Sequence, residues 1–229
     1  MSLCYEGRMK NLIAVTLLLG AAAGCGRLGG GPKSEDDKTI YALGLIIGRN
    51  LADFNLTPRE LDLVKAGISD MIQNKKPAVD IEAYGPKVDA LHTSRRQARG
   101  AMEKTKGASF VEGAAREPGA VRTPSGAIFR SVKAGNGATP QPTDRVQVHY
   151  TGKLIDGTVF DSSRKQGKPV TFPLNAVIKC WGEGVGRMRV GEQAVLTCPA
   201  ETAYGEGGQR GIPPNATLIF DVELVSIEK

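Results

Sequence analysis

Val177-Ile178-Lys179-Cys180-Trp181 holds the single tryptophan of this 229-residue chain and lies in its most patterned third. An indole is the largest apolar ring and carries one hydrogen-bond donor. A tryptophan followed by a glycine-broken helix therefore either fills the centre of a core or floors a binding pocket. Other chemistry is scarce. The two histidines, His92 and His149, lie in different halves of the chain and make neither a metal site nor a triad. There is no Gly-x-Ser-x-Gly elbow for a hydrolase and no Gly-Lys-Ser/Thr loop for a nucleotide. What the residue types allow is binding in an apolar pocket, without a nucleophile, a metal or a cofactor.

The elements that would position such a pocket start from an ordinary globular balance, 41% hydrophobic and 24% charged, enough for one large or two small domains. The net charge of +6 is spread, with Lys and Arg alternating with Asp and Glu, so no basic stripe marks a nucleic-acid partner. The first segment reads as an export signal. Met9-Lys10 precedes the short apolar run Leu12 to Leu19, then Gly20-Ala21-Ala22-Ala23-Gly24 and Cys25. Met9 is a more natural start than Met1, because it puts the charge directly before that run. Ala22-Ala23-Gly24-Cys25 resembles a bacterial lipobox, which implies a diacylated Cys25 and a membrane anchor; cleavage after Ala23, leaving a soluble exported protein, is the alternative. Residues 1–25 are thus signal peptide with lipobox cysteine, and residues 26–38 a flexible tether.

From Thr39 to Glu117 the apolar spacing is helical. Ile40, Leu43, Ile47 and Leu51 make one face of a first helix. Thr57-Pro58-Arg59-Glu60 is a capping box with proline at the first helical position, so a second helix begins at Pro58. A third begins near Asp80, is bent or restarted at Gly85-Pro86, and runs to about Ala115. Its apolar content thins after Leu91, which predicts a strut in solvent. Helices this short and one-sided cannot close a core alone, which predicts self-association; a monomeric bundle packed on the second domain is the alternative.

Past Glu117-Pro118-Gly119 the period changes to two. Strands are expected at Ile128 to Lys133, around Val146, Val148 and Tyr150, at Thr158 to Phe160 after the turn Asp156-Gly157, at Val170 to Phe172, at Gln193 to Cys198, and from Leu218 to Leu224. The fold class is α+β, an all-helical domain with a long strut helix over 39–117 and an antiparallel sheet wrapped on one short helix over 118–229. Between the last two strands, Pro199 to Pro214 is too long for a simple hairpin, and Tyr204 sits within it.

Val148-His149-Tyr150-Thr151-Gly152, Asp156-Gly157-Thr158-Val159-Phe160-Asp161-Ser162-Ser163, Val177-Ile178 with Trp181, Ala203-Tyr204-Gly205 and Ile212-Pro213-Pro214-Asn215-Ala216-Thr217-Leu218 together resemble an FKBP-type peptidyl-prolyl cis-trans isomerase domain. The helical half, with Tyr41-Ala42-Leu43-Gly44, Gly48-Arg49, Val64-Lys65-Ala66-Gly67-Ile68 and Pro124-Ser125-Gly126, is similar to the dimerisation domain of the Mip and FkpA proteins, the exported bacterial branch. The resemblance implies that Tyr150, Phe160, Phe172, Val177, Ile178, Trp181 and Phe220 line an aromatic cup with Trp181 beneath the prolyl ring. It implies that Ile212 closes one side, that the Tyr204 hydroxyl and the Ile178 N–H meet substrate carbonyls, and that Asp161 sits at the rim, polarising the twisting amide or orienting Tyr150. It further implies proline-containing unfolded or exported polypeptides as partners, a homodimer, chaperone activity, and a place in the cell envelope as a periplasm-facing outer-membrane lipoprotein.

The chain departs from the family at Cys180, where many members have glycine, and in the loop after Tyr204, which is a residue short and carries Gln209-Arg210 where others hold a histidine. Cys180 starts the short helix and Cys198 ends the strand leading back toward it. In an exported protein that pairing predicts a disulfide, with two buried free thiols the alternative. Two functions compete on this fold, a catalytic isomerase and a non-catalytic peptide-binding or adhesion module. The cup residues are all present, which favours catalysis.

Overall fold

The computed structural model describes residues 31–209 and 211–228. The export segment with its lipobox Cys25, residues 26–30 of the expected tether, Arg210 and Lys229 lie outside these residues. Helix α1 spans Glu35–Asn50. It starts inside the stretch read as tether, because Ser34 and Asp37 cap it reciprocally: Asp37 N–H donates to Ser34 Oγ at 3.0 Å and Ser34 N–H to Asp37 Oδ2 at 3.1 Å. The chain divides into two compact units with the boundary between Gly44 and Leu45, inside α1. The second unit holds the remaining helices and the whole sheet.

Helix α2 spans Pro58–Ile72 with the capping box in place, Thr57 Oγ1 accepting from Glu60 N–H and the Glu60 carboxylate accepting from Thr57 N–H. The same carboxylate is gripped by Arg95 of α3, which spans Ile81–Ala115, with Nη2 at 2.5 Å from Oε1 and Nη1 at 3.1 Å from Oε2. Arg95 also donates to the Phe54 carbonyl at 2.8 Å. A single guanidinium therefore ties the turn, the start of α2 and the long helix together. Helix α3 runs unbroken through Pro86. The proline sits only five residues into the helix, so it removes a single main-chain bond, to the carbonyl of Glu82.

The strut expected after Leu91 is not free along its length. Most of its side chains are exposed, yet Gly100, Gly107 and Val111 are buried. A Cβ at Gly100 would stand 3.1 Å from Pro214 Cβ, and one at Gly107 would overlap Thr217 Oγ1. Missing side chains let the helix dock on the loop before the last strand, so a search for large apolar residues passes over this contact.

The sheet runs β1-β2-β6-β7-β3-β4, with β5 also pairing β3, and every pairing is antiparallel. Its strands are β1 (Ala120–Arg122), β2 (Ile128–Lys133), β3 (Arg145–Leu154), β4 (Val159–Ser162), β5 (Val170–Pro173), β6 (Gln193–Cys198) and β7 (Leu218–Glu228). The short β1 is unexpected from sequence; it forms because the turn ending at Gly126, where φ is +95°, folds it back on β2. Along β3, Val146, Val148, Tyr150, Gly152 and Leu154 are buried while the residues between them are not, which is the alternation that sets one face to the core.

Helix α4 spans Lys179–Val185 and packs against the sheet at β6. It is rich in glycine, and one of these has a clear purpose. A Cβ at Gly184 would come within 2.6 Å of the Leu196 side chain on β6, so glycine permits the close approach. Cys180 at the helix start and Cys198 at the end of β6 form a disulfide, Cα atoms 5.6 Å apart, both fully buried. The covalent tie holds an intrinsically weak helix against the sheet.

Candidate active site

Each cup residue arrives on a different element, and all of them meet in one apolar cluster. Tyr150 comes from β3, Phe160 from β4, Phe172 from β5, Trp181 from α4 and Phe220 from β7. Tyr150, Phe172 and Phe220 stand edge-to-face about the indole, with ring centroids 5.2, 5.4 and 5.3 Å from it and interplanar angles of 87°, 88° and 86°. Phe160 extends the wall by meeting Phe220 edge-to-face at 5.7 Å. Edge-to-face pairs put the positive rim of one ring against the negative face of the next, so the cup is held in shape by its own quadrupoles.

Burial grades from floor to rim. Trp181, Phe220, Ile212 and Tyr150 are buried, whereas Phe160, Phe172, Val177 and Ile178 are half-buried against the same apolar cluster. Tyr204 is exposed, at the edge of the long loop. The indole N–H of Trp181 is buried and has no acceptor among the described residues. Ile178 is the N-cap of α4, and its own N–H likewise has no acceptor among them. A buried donor without a partner, as at the indole, is costly, of order 1–3 kcal/mol, and an arriving carbonyl would relieve that cost.

The polar rim centres on Tyr150. Its hydroxyl donates to Asp161 Oδ2, while Asp161 Oδ1 accepts from the Ser162 N–H at 2.8 Å. Burial, then the hydrogen bond and charge of Asp161, push the Tyr150 phenol well above the usual tyrosine range. Burial and the Asp161 charge also raise Tyr204. Both phenols are therefore neutral donors at physiological pH. Asp161 is the acceptor that aims one of them.

Two supporting residues were not singled out for roles by sequence reasoning. Gly152 lies under the wall: a Cβ there would stand 2.7 Å from Phe160 Cζ and 2.9 Å from Phe220 Cε1, so the two rings close over bare backbone. A lone glycine in an alternating strand is the signal that could have found it. Ser163 is fully buried, and its hydroxyl accepts from the Tyr150 N–H at 2.8 Å, fixing the strand segment that carries the phenol. His149, one residue away, is partly exposed and lies 3.3 Å from the same hydroxyl. Cys25 lies outside the described residues.

Comparison with known proteins agrees with this geometry. Residues 136–225 match the FKBP-type peptidyl-prolyl cis-trans isomerase family, and residues 36–130 match the domain amino terminal to such isomerases. The FKBP-type 22 kDa peptidyl-prolyl cis-trans isomerase of Escherichia coli K12 is 44% identical over 192 residues, 82% of this chain and 93% of the relative. Peptidyl-prolyl cis-trans isomerase Mip of Coxiella burnetii is 34% identical over 232 residues, 96% of this chain and all of the relative. The crystal structure of FkpA from Escherichia coli superposes with a TM-score of 0.64 at 34% identity, covering 86% of this chain and 98% of that one. With its aromatic cup on an antiparallel sheet, its family matches over both halves and relatives at this identity, the chain is a member of the FKBP-type peptidyl-prolyl cis-trans isomerases.

Proposed function

We propose that the chain accelerates rotation about X-Pro peptide bonds in exported polypeptides, using the cup around Trp181. The observation that carries this reading is the indole itself: a buried apolar plate ringed by three aromatic side chains, its N–H unpartnered among the described residues. X-Pro rotation passes through a twisted amide over a barrier of about 18–20 kcal/mol, and no covalent bond is broken. A catalyst needs only to take the prolyl ring and its carbonyl out of water and to bind the twisted form better than the planar one. In this reading Trp181 carries the ring, Phe160, Phe172, Phe220, Val177 and Ile212 exclude water, and the Ile178 N–H and Tyr204 hydroxyl hold substrate carbonyls. Asp161 keeps the Tyr150 hydroxyl turned to the rim.

A protease-coupled assay on X-Pro peptides tests the reading. The chain should speed isomerisation, and Trp181→Ala should remove most of the effect. No acceleration by the wild-type chain would leave a peptide-binding or adhesion module.

The proposal extends to assembly and place. Residues 39–117 serve as a dimerisation module and 118–229 as the isomerase. The support is the apolar side chains that the helices leave exposed, among them Ile40, Leu43, Leu61, Leu63, Met71 and Ile72. Two cups on one helical base would gather unfolded chains and act as a chaperone. Light scattering with and without the residues before Pro118 checks this, an unchanged monomer mass overturning it. The lipobox-like Ala22-Ala23-Gly24-Cys25 supports a lipid anchor at Cys25 in the bacterial envelope, and one relative, from Legionella longbeachae, is named outer membrane protein MIP. Among the described residues no helix is long and apolar enough to cross a membrane. The mass of the mature N-terminus, with or without two acyl chains, decides between lipoprotein and soluble exported protein.

A further inference from the structure

Two of the cup residues, Tyr204 and Ile212, sit on the loop between β6 and β7, whereas the floor sits on the sheet and α4. The loop has its own internal ties. Gln209 and Ile212 exchange main-chain hydrogen bonds at 3.0 and 2.7 Å, and Asn215 N–H donates to the Gly205 carbonyl at 3.0 Å. Gly208, at φ +60°, lies so close to Pro213 that a Cβ there would come within 2.8 Å of the Pro213 carbonyl carbon. The loop is thus a folded unit, and what sets its position as a unit is a separate question.

One face of α3 supplies the answer. Arg96, Gly100 and Gly107 recur at spacings of four and seven, which places them on one stripe of the helix. Arg96 Nη2 donates to the Gly207 carbonyl at the tip of the loop. Gly100 lies against Pro214 and accepts from Asn215 Nδ2 at 3.4 Å, at the base of the loop. Gly107 lies against Thr217, where the loop enters β7. Tip, base and exit are therefore held by three turns of a single helix. The other arm of Arg96 reaches back, Nη1 standing 3.6 Å from Asp53 Oδ2 in the short turn before α2.

We infer that α3 is a positioning element for catalysis: through Arg96, Gly100 and Gly107 it sets where the β6–β7 loop carries Tyr204 and Ile212 over the Trp181 floor. This rests on the reading of Tyr204 and Ile212 as one wall of the cup. Arg96 is a positioning residue, acting on the substrate only through the Gly207 carbonyl and the loop. A small displacement of a pocket wall is costly to catalysis even where the fold is intact, since it spoils the fit to the twisted amide.

The test uses the full chain and the protease-coupled assay, with the thermal midpoint and Trp181 emission recorded for every variant. Arg96→Ala should lower kcat/KM about tenfold while the midpoint and the emission hold, because the floor is untouched. Arg96→Lys, which keeps a donor for Gly207, should recover most of that loss. Asp53→Asn, which severs only the other arm, should leave kcat/KM within about twofold. Gly107→Ala should lower kcat/KM through its overlap with Thr217, and Gly107→Ala with Thr217→Ala should restore it. Full activity in Arg96→Ala and Gly107→Ala, or losses that merely track the midpoint and are not rescued, overturns the inference while leaving the isomerase reading intact. A wild-type chain with no activity overturns both.

Discussion

The Tyr150 hydroxyl points at Asp161 Oδ2 across the rim of the cup, while the Tyr150 ring forms part of the wall edge-on to Trp181. One side chain thus belongs to both the apolar floor and the polar mouth, and the carboxylate decides which way its proton faces. Tyr150→Phe keeps the wall and loses the donor; Asp161→Ala keeps the donor and loses its aim. Both should reduce kcat/KM on X-Pro peptides, each by about tenfold, with the thermal midpoint of Tyr150→Phe near that of the wild type. Wild-type activity in both variants would remove the rim from the mechanism.

The same pair has a pH signature. The Tyr150 phenol is raised above its unfolded value by burial first and by Asp161 second. The folded chain therefore holds that proton more tightly than the unfolded one. Its contribution to stability is fully present below the ordinary tyrosine value near 10 and is lost as pH rises above it. Midpoints measured from pH 9 to 12 should fall more steeply for the wild type than for Tyr150→Phe.

At the other end of the pH scale, Glu60 is lowered to about 2, chiefly by the hydrogen bonds from Arg95, with the Thr57 cap second. Here the unfolded chain takes up a proton first. The contribution is present above the ordinary glutamate value of about 4.5 and is lost as pH falls from there through 2. Acid titration followed by helical circular dichroism should show this loss, and Glu60→Gln should flatten it, because glutamine keeps the capping box without the charge.

Reduction of Cys180–Cys198 tests what holds α4. The bond spans 18 residues, and the chain-entropy treatment assigns about 3 kcal/mol to a loop of that size. Cys180→Ala with Cys198→Ala should unfold at lower denaturant by that order. Trp181, next to the bond, should report loosening by a red shift in emission before global unfolding.

Gly152→Ala probes the wall from beneath. The added methyl meets Phe160 and Phe220 at distances no relaxed contact shows. Overpacking of this kind costs about 1–3 kcal/mol, and here the rings that must move are those of the cup. Activity should fall further than stability does, measured by kcat/KM against the denaturation midpoint.

Much of this was legible without coordinates. The helix start at Thr57-Pro58 follows from local chemistry, since a hydroxyl, a proline and a glutamate at that spacing satisfy one another's backbone needs wherever they occur. The alternation along β3 likewise assigns a buried face before any partner strand is known. Cys180 and Cys198 could be paired because each sits at the end of an element that returns toward the other. The start of α1 at Glu35 and the strand β1 were not foreseen. The first depends on a reciprocal Ser34–Asp37 cap that composition disguises as tether, and the second exists only because β2 is there to pair with it.

The stretch from Val177 to Trp181 shows where the division falls. The sequence by itself determined that an indole opens a glycine-rich helix, that aromatic residues alternate on the surrounding strands, and that no reactive group is on hand, because these depend on residue type and local period alone. Whether other rings would gather around that indole was decided by the tertiary structure. Four elements separate in sequence must converge for Tyr150, Phe172 and Phe220 to stand around one ring, and their convergence depends on close approaches at Gly152 and Gly184. The docking of α3 on the Tyr204 loop belongs to the same class. It is made by absent side chains and main-chain carbonyls, which contact geometry registers and hydropathy does not.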